Sequence, residues 1–244
     1  MNVPISNIQL APNSVLLVMS TRLRIGSISV LLLLVVAGCS DDDPVMAPPP
    51  EDSVRYQVTF TSTWSAATHP DGFPANPHFS PLIGATHCSC MSFWEVGELA
   101  SPGIKAMAEL GATNALASEV ATAQGNGGAE NLLTGTGIGV SPGMASLEFD
   151  VSLDFPAVTL VSMVAPSPDW FVGVSGLDLF DGSEWVDSLV IELYPYDAGT
   201  DSGSDYTSPN QATQPPAGIF QIDSGPLWVD GALPSVGTFT FVRQ

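Results

Sequence analysis

Positive charge is nearly missing from this chain: five Lys and Arg stand against 25 Asp and Glu, a formal charge of −20 over 244 residues. Without a basic footprint there is nothing to set against phosphate, so nucleic acid is excluded as a partner. Cysteine is scarce as well, with three in all. That count excludes the small secreted scaffolds that replace a core with dense disulfides. Long apolar runs are also wanting. The most apolar stretch lies within RLRIGSISVLLLLVVAGC at residues 22–39 and is too short for a comfortable helical span, which needs ~20 residues.

That stretch holds two arginines, an apolar run, small residues and a cysteine, the order of a secretory signal. Val36-Ala37-Gly38-Cys39 is similar to the bacterial lipobox, in which the cysteine is acylated and becomes the first mature residue. Residues 1–38 are therefore expected to be a signal peptide and Cys39 a lipidation site, with a cleaved soluble product or an uncleaved N-terminal span as alternatives. Met19 is the more natural start, because MSTRLRIG forms a short basic region and residues 1–18 then read as an extension. Ser40 after the anchor favours the outer membrane by analogy with bacterial sorting, and membrane contact is expected through lipid alone.

Residues 39–244 keep all 25 acidic residues and only Arg55, Lys105 and Arg243, so three positive charges face 25 negative and the formal charge is −22. Such a surface suits solubility, divalent cations or a basic partner, and it equally suits a saline habitat. SDDDPVMAPPPEDS at 40–53 is acidic and proline-rich with little to bury, and is expected to be a flexible tether following Cys39.

From Val54 the pattern changes to alternation. Val54, Tyr56, Val58 and Phe60 fall on one face of VRYQVTFT, a half-buried strand. Similar strands are expected at 146–154, 158–164, 170–174, 187–194 and 237–243, with weaker candidates at 87–94 and 218–222. Ser101-Pro102 offers an N-cap and a first-turn proline for a helix through GIKAMAEL that stops at Gly111. A second alanine-rich piece begins at Thr113, and the glycine-rich stretch 126–143 is expected to be a long mobile loop. Many short strands with one helical insertion predict an all-β, antiparallel β-sandwich over residues 54–244.

Three acidic positions stand out: Asp169 in APSPDWFVG, and Asp197 and Asp201 in PYDAGTDSG. Each follows a strand or lies in its turn, so all three can meet at one end of a sandwich. Three carboxylates so close would repel by up to ~4 kcal/mol per pair at an effective dielectric near 20. A dication relieves that repulsion, and calcium accepts carboxylate, carbonyl and water oxygens in flexible geometry. The loop is not an EF-hand: counted from Asp197, position six is Ser202 and position twelve Ser208. On spacing alone, turn-capping by the Asp197 and Asp201 side chains is the favoured alternative.

Other chemistries have weaker support. His69, His78, His87, Cys88 and Cys90 suggest zinc by type, but their spacing matches no zinc pattern. A bridge between Cys88 and Cys90 would close a very small, strained ring. No Gly-x-Ser-x-Gly elbow occurs, and GTGIG lacks the Lys-Ser/Thr of a phosphate loop, so no catalytic residue is assigned. Trp64, Trp94, Trp170 and Trp185 are expected to pack the seam between sheets, with Trp228 the candidate for exposure.

Phe93-Trp94-Glu95-Val96-Gly97, Ala100-Ser101-Pro102-Gly103, the PSPDWFVGV run from Pro166, the LYPYDAGTDSG run from Leu193 and Tyr206-Thr207-Ser208-Pro209-Asn210 together resemble the N-terminal domain of the spondins, the F-spondin and mindin family. Similarity runs in order over roughly residues 54–244. The resemblance implies a C2-like β-sandwich and a Ca2+ site made by Asp169, Asp197 and Asp201. It further implies an adhesion or recognition module, without catalysis, for an extracellular protein or glycan ligand. Where animal members carry a cysteine after Asp178-Leu179, this chain has Phe180, so their disulfide is not carried over.

Overall fold

The computed structural model describes residues 50–244. The signal peptide, Cys39 and most of the tether lie outside the described residues. The last tether residues belong to the fold: the Asp52 carbonyl accepts the Leu153 N–H at 3.0 Å, and the Glu51 carbonyl accepts the Trp185 indole N–H at 2.8 Å. The ordered domain therefore begins before Val54.

Two antiparallel sheets stack on each other. The elements are β1 (Ser53–Ser62), β2 (His78–Phe79), β3 (Ile83–His87), α1 (Pro102–Leu110), α2 (Asn114–Gly125), β4 (Ala129–Thr134), β5 (Gly143–Ser152), β6 (Ala157–Ala165), β7 (Trp170–Asp178), β8 (Ser188–Leu193), β9 (Tyr196–Asp197), β10 (Phe220–Gln221) and β11 (Gly237–Arg243). The four-stranded sheet runs β5-β1-β11-β8 and the larger one β10-β9-β7-β6-β3-β4, with β2 also paired to β6.

Alternation along β1 buries Val54, Tyr56, Val58 and Phe60 against the facing sheet, as the sequence predicts. Phe60 meets Phe79 and Phe239 edge-on, the geometry in which aromatic rings gain beyond their area. β6 behaves differently, since all nine of its residues are buried. Val158, Leu160 and Val164 face the sandwich interior, whereas Val161, Met163 and Ala165 face a second core under the helices. A strand covered on both faces reads as a continuous apolar run, and VTLVSMV is one.

The helical insertion is two helices. In α1 the Ser101 side chain accepts the Ile104 N–H, Pro102 occupies the first turn and Gly111 ends the helix in the left-handed region at φ 65°. α2 packs on α1 and on β3 and β4. Its Glu119 reaches back to α1, accepting the Gly103 N–H at 2.6 Å and the Ser101 hydroxyl at 2.7 Å.

Three expectations are corrected. Residues 126–143 are not one mobile loop, because Ala129–Thr134 forms β4, paired to β3. Its Leu133 enters the main core and Ala129 the small cluster under α2. The weaker strand candidates shrink to His87, the end of β3, and to the two-residue β10. Cys88 and Cys90, for which spacing argued against a bridge, are bonded to each other with Cα atoms 5.1 Å apart, inside the ordinary range for a disulfide.

Candidate metal centre

Asp169 ends the turn between β6 and β7. From there β7 starts alongside β9, with Trp170 opposite Asp197, and the Asp169 carbonyl accepts the Ala198 N–H at 3.1 Å. Strand pairing thus carries residues far apart in sequence to one end of the larger sheet. The chain after β9 then folds onto the Asp169 side chain. Oδ2 of Asp169 accepts the Thr200 N–H at 2.7 Å, the Asp201 N–H at 2.9 Å and the Thr200 hydroxyl at 3.1 Å. Asp169 is wholly buried, and its other oxygen, Oδ1, meets no hydrogen-bond donor among the described residues.

Asp197 and Asp201 cap their own turns. Oδ1 of Asp197 accepts the Gly199 N–H at 2.7 Å, and Oδ1 of Asp201 accepts the Gly203 N–H at 2.8 Å. The turn-capping alternative is therefore present in the fold. Gly199 sits at φ 71°, and a Cβ there would come within 2.3 Å of the Ala217 carbonyl oxygen, so both conformation and space require glycine. A later segment seals the loop: the Asp201 Oδ2 accepts the Gln211 N–H at 2.9 Å, the Gln211 carbonyl accepts the Ser202 N–H at 2.8 Å, and the Thr200 carbonyl accepts the Thr213 N–H at 3.0 Å.

These bonds do not neutralise the cluster. Burial, then the charge of Asp169, pushes the Asp197 carboxyl up to about 7, against the opposing pull of the Gly199 N–H and the Trp170 indole. Burial likewise raises Asp169, outweighing the N–H groups of Asp201 and Thr200. Each of the two is raised further by Asp201. The structure brings the three named aspartates into one electrostatic unit.

Among the described residues, no group of three or more His, Cys, Asp or Glu side chains is disposed to hold a metal ion by itself. An ion here would need further oxygen ligands. Calcium meets that condition, since it completes its shell with carbonyls and water. The donors present are all oxygen, and the unpartnered Oδ1 of Asp169 is the kind of buried acceptor that a cation satisfies. The residues fit.

Thr200 and Gln211 escaped the sequence reading as parts of this site. Thr200 lies inside the quoted DAGTD motif, whereas nothing in the sequence signals that Gln211 returns to it. The zinc donors are engaged separately. His69 Nδ1 lies 3.0 Å from Thr68 Oγ1, and His78 Nδ1 donates to the Asn76 carbonyl. His87 donates through Nδ1 to the Cys88 carbonyl and accepts the Thr159 hydroxyl at Nε2. Trp64, Trp170 and Trp185 pack the core between the sheets as expected, Trp170 edge-on to Tyr206, whereas Trp94 is buried in the second core under the helices and Trp228 is half-buried.

An antiparallel sandwich with a two-helix insertion and a carboxylate cluster at one end of its larger sheet defines the class of domain. The chain belongs to the spondin N-terminal domain family: the Spondin_N family model matches residues 54–227. It is 36% identical to rat Spondin-2 over 202 residues, covering 78% of this chain and 61% of the relative. Human Spondin-2 is 37% identical over 174 residues, 70% of this chain and 53% of the relative. Chicken Spondin-1 is 35% identical over 186 residues, 70% of this chain and 22% of the relative. The chain thus aligns with between a fifth and three fifths of these relatives' lengths.

Proposed function

We propose that the chain is a lipid-anchored cell-envelope lipoprotein, held at the outer membrane through Cys39. Its spondin domain serves as an adhesion or recognition module for an extracellular protein or glycan, with the loops at the Asp169 end ordered by Ca2+. The observation that carries the calcium part is the buried, unpartnered Oδ1 of Asp169 beside two more carboxylates. Membership of the spondin family supports the recognition role, and the leader sequence supports the anchor.

Asp169, Asp197 and Asp201 would hold the ion, which supplies the positive charge this cluster lacks. The protein's own contribution is to fix those oxygens in place. Thr200 and the Asp201 N–H orient Asp169, the Gly199 turn positions Asp197, and the Gln211 N–H holds Asp201.

Calcium titration of the purified protein, followed by melting temperature, tests the reading. Saturable stabilisation is expected, about 2.7 kcal/mol at a hundredfold excess over Kd, and the Asp197→Ala and Asp201→Ala variants should lose it. Identical melting of parent and variants in calcium and in chelator would refute the site. Metabolic labelling with a fatty acid tests the anchor: label should enter the parent and be absent from Cys39→Ala.

A further inference from the structure

The Cys88–Cys90 bond has no place in the recognition reading. A disulfide stabilises mainly by restricting the unfolded chain, and the restriction grows with the length of the loop it closes. Here the partners are two residues apart, so the unfolded chain loses little freedom and no two elements are tied together. The bridge sits just past β3, where other bonds already hold the chain. The Cys88 N–H donates to the Gly128 carbonyl at 3.0 Å, the Cys88 carbonyl accepts from His87 at 2.8 Å, and the Ser89 hydroxyl donates to Asp178 at 2.7 Å.

Accessibility points the same way. Cys90 is exposed and Cys88 half-buried, so a nucleophile can reach the Cys90 sulfur first. Ser89 and Met91, the residues on either side of Cys90, line the edge of an open cleft of about 730 Å3 between β7 and the end of β8, whose walls include Trp94, Tyr194 and Tyr196 and whose acidic groups are Glu95, Asp178 and Glu192; the two cysteines themselves lie beside this cleft and not in its lining. Exposed disulfides that contribute little to the fold are the exchangeable ones.

We infer that Cys88–Cys90 is a thiol–disulfide exchange site that oxidises cysteine pairs in an uncharged or basic polypeptide segment lying against the Ser89–Met91 edge of this cleft. The substrate thiolate attacks Cys90 Sγ, the Cys88–Cys90 bond breaks, and Cys88 leaves as a thiolate that takes up a proton. The substrate's second thiolate then attacks its own sulfur in the mixed disulfide and releases the Cys90 thiolate. The substrate loses two electrons as its disulfide forms, and the pair gains two. The acidic rim repels anionic thiols, so rate should follow the charge of the attacking molecule. This inference is independent of the calcium site.

The oxidised full chain is to be treated with cysteamine, mercaptoethanol or mercaptoacetate under native conditions, and the thiols alkylated and mapped by mass spectrometry, which separates Cys39 from the pair. Both cysteines should open while the melting temperature stays within a few degrees of the parent's, in the rate order cationic, neutral, anionic after correction for each thiol's own pKa. A reduced peptide carrying two cysteines should be oxidised stoichiometrically by the parent and not by the Cys88→Ser/Cys90→Ser variant. A pair that opens only when the domain melts overturns the proposal, as does a parent that leaves the peptide reduced. Because reduction is followed on the parent itself, the test holds even if the variant folds poorly.

Discussion

At Asp169 one side chain has two separable duties. Oδ2 fastens the Thr200 and Asp201 N–H groups, while Oδ1 is buried without a hydrogen-bond partner among the described residues. Asp169→Asn keeps an acceptor for the N–H groups and discards the charge. It should melt at or above the parent in chelator at pH 8, and show no rise with calcium. Asp169→Ala leaves the N–H groups unpaired and should cost about 1–3 kcal/mol in chelator. Chemical denaturation of both variants separates the two duties. Asp197 sets the pH behaviour. Its carboxyl moves from 3.8 to about 7 on folding, so the folded, ion-free protein binds more protons than the unfolded chain between those values. The stabilising contribution is complete below the lower value and is lost as pH rises through the upper one. In the proposed site calcium would have to displace that proton, so its affinity should fall as pH drops below about 7, approaching tenfold per unit for one competing proton. Calorimetric titration across that range measures it, and a flat profile contradicts the assignment. Asp169, Asp197 and Asp201 were legible because short motifs hold them. Gln211 was not, since the backbone N–H that meets Asp201 could belong to any residue type.

Among the elements, the α1–α2 pair rests on a carboxylate cap across helices. Glu119 of α2 binds both the Gly103 N–H and the Ser101 hydroxyl of α1, and an anion is favoured at a helix N-terminus. Glu119→Ala should therefore cost about 1–2 kcal/mol, with hydrogen exchange accelerating first at the start of α1. Uniform exchange over both helices and β6 would show instead that the cap has no local effect. Elements marked by their own residues were readable. α1 announces itself through Ser101, Pro102 and Gly111, and β1 through strict alternation. β4 was not, because only Ala129 and Leu133 of its six residues are buried, four apart, and glycine crowds both flanks. Its strand form comes from pairing with β3 and from α2 above it, partners that no local window contains.

Over the whole molecule the sign of charge is lopsided. Among the described residues Arg55 pairs with Asp150 and approaches Glu148, Lys105 pairs with the half-buried Glu109, and Arg243 pairs with Asp187; apart from Glu109 these side chains are exposed. Exposed pairs contribute little, and the many remaining carboxylates repel. Screening that repulsion outweighs weakening these few pairs, so the melting temperature in chelator should rise from low to near-molar sodium chloride. A fall would mean that the ion pairs dominate.

β1 gives this body a direction. Its first residues lie beside the end of β11, where the Gln244 N–H meets the Arg55 carbonyl. Ten residues later β1 ends near Trp64, whose ring touches Tyr206, which in turn touches Trp170 beside Asp169. Chain entry and carboxylate loops therefore occupy opposite poles, separated by one strand length, roughly 33 Å at 3.3 Å per residue. Grafted by its N-terminus onto any support, the domain would hold its aspartate cluster at the end far from that support.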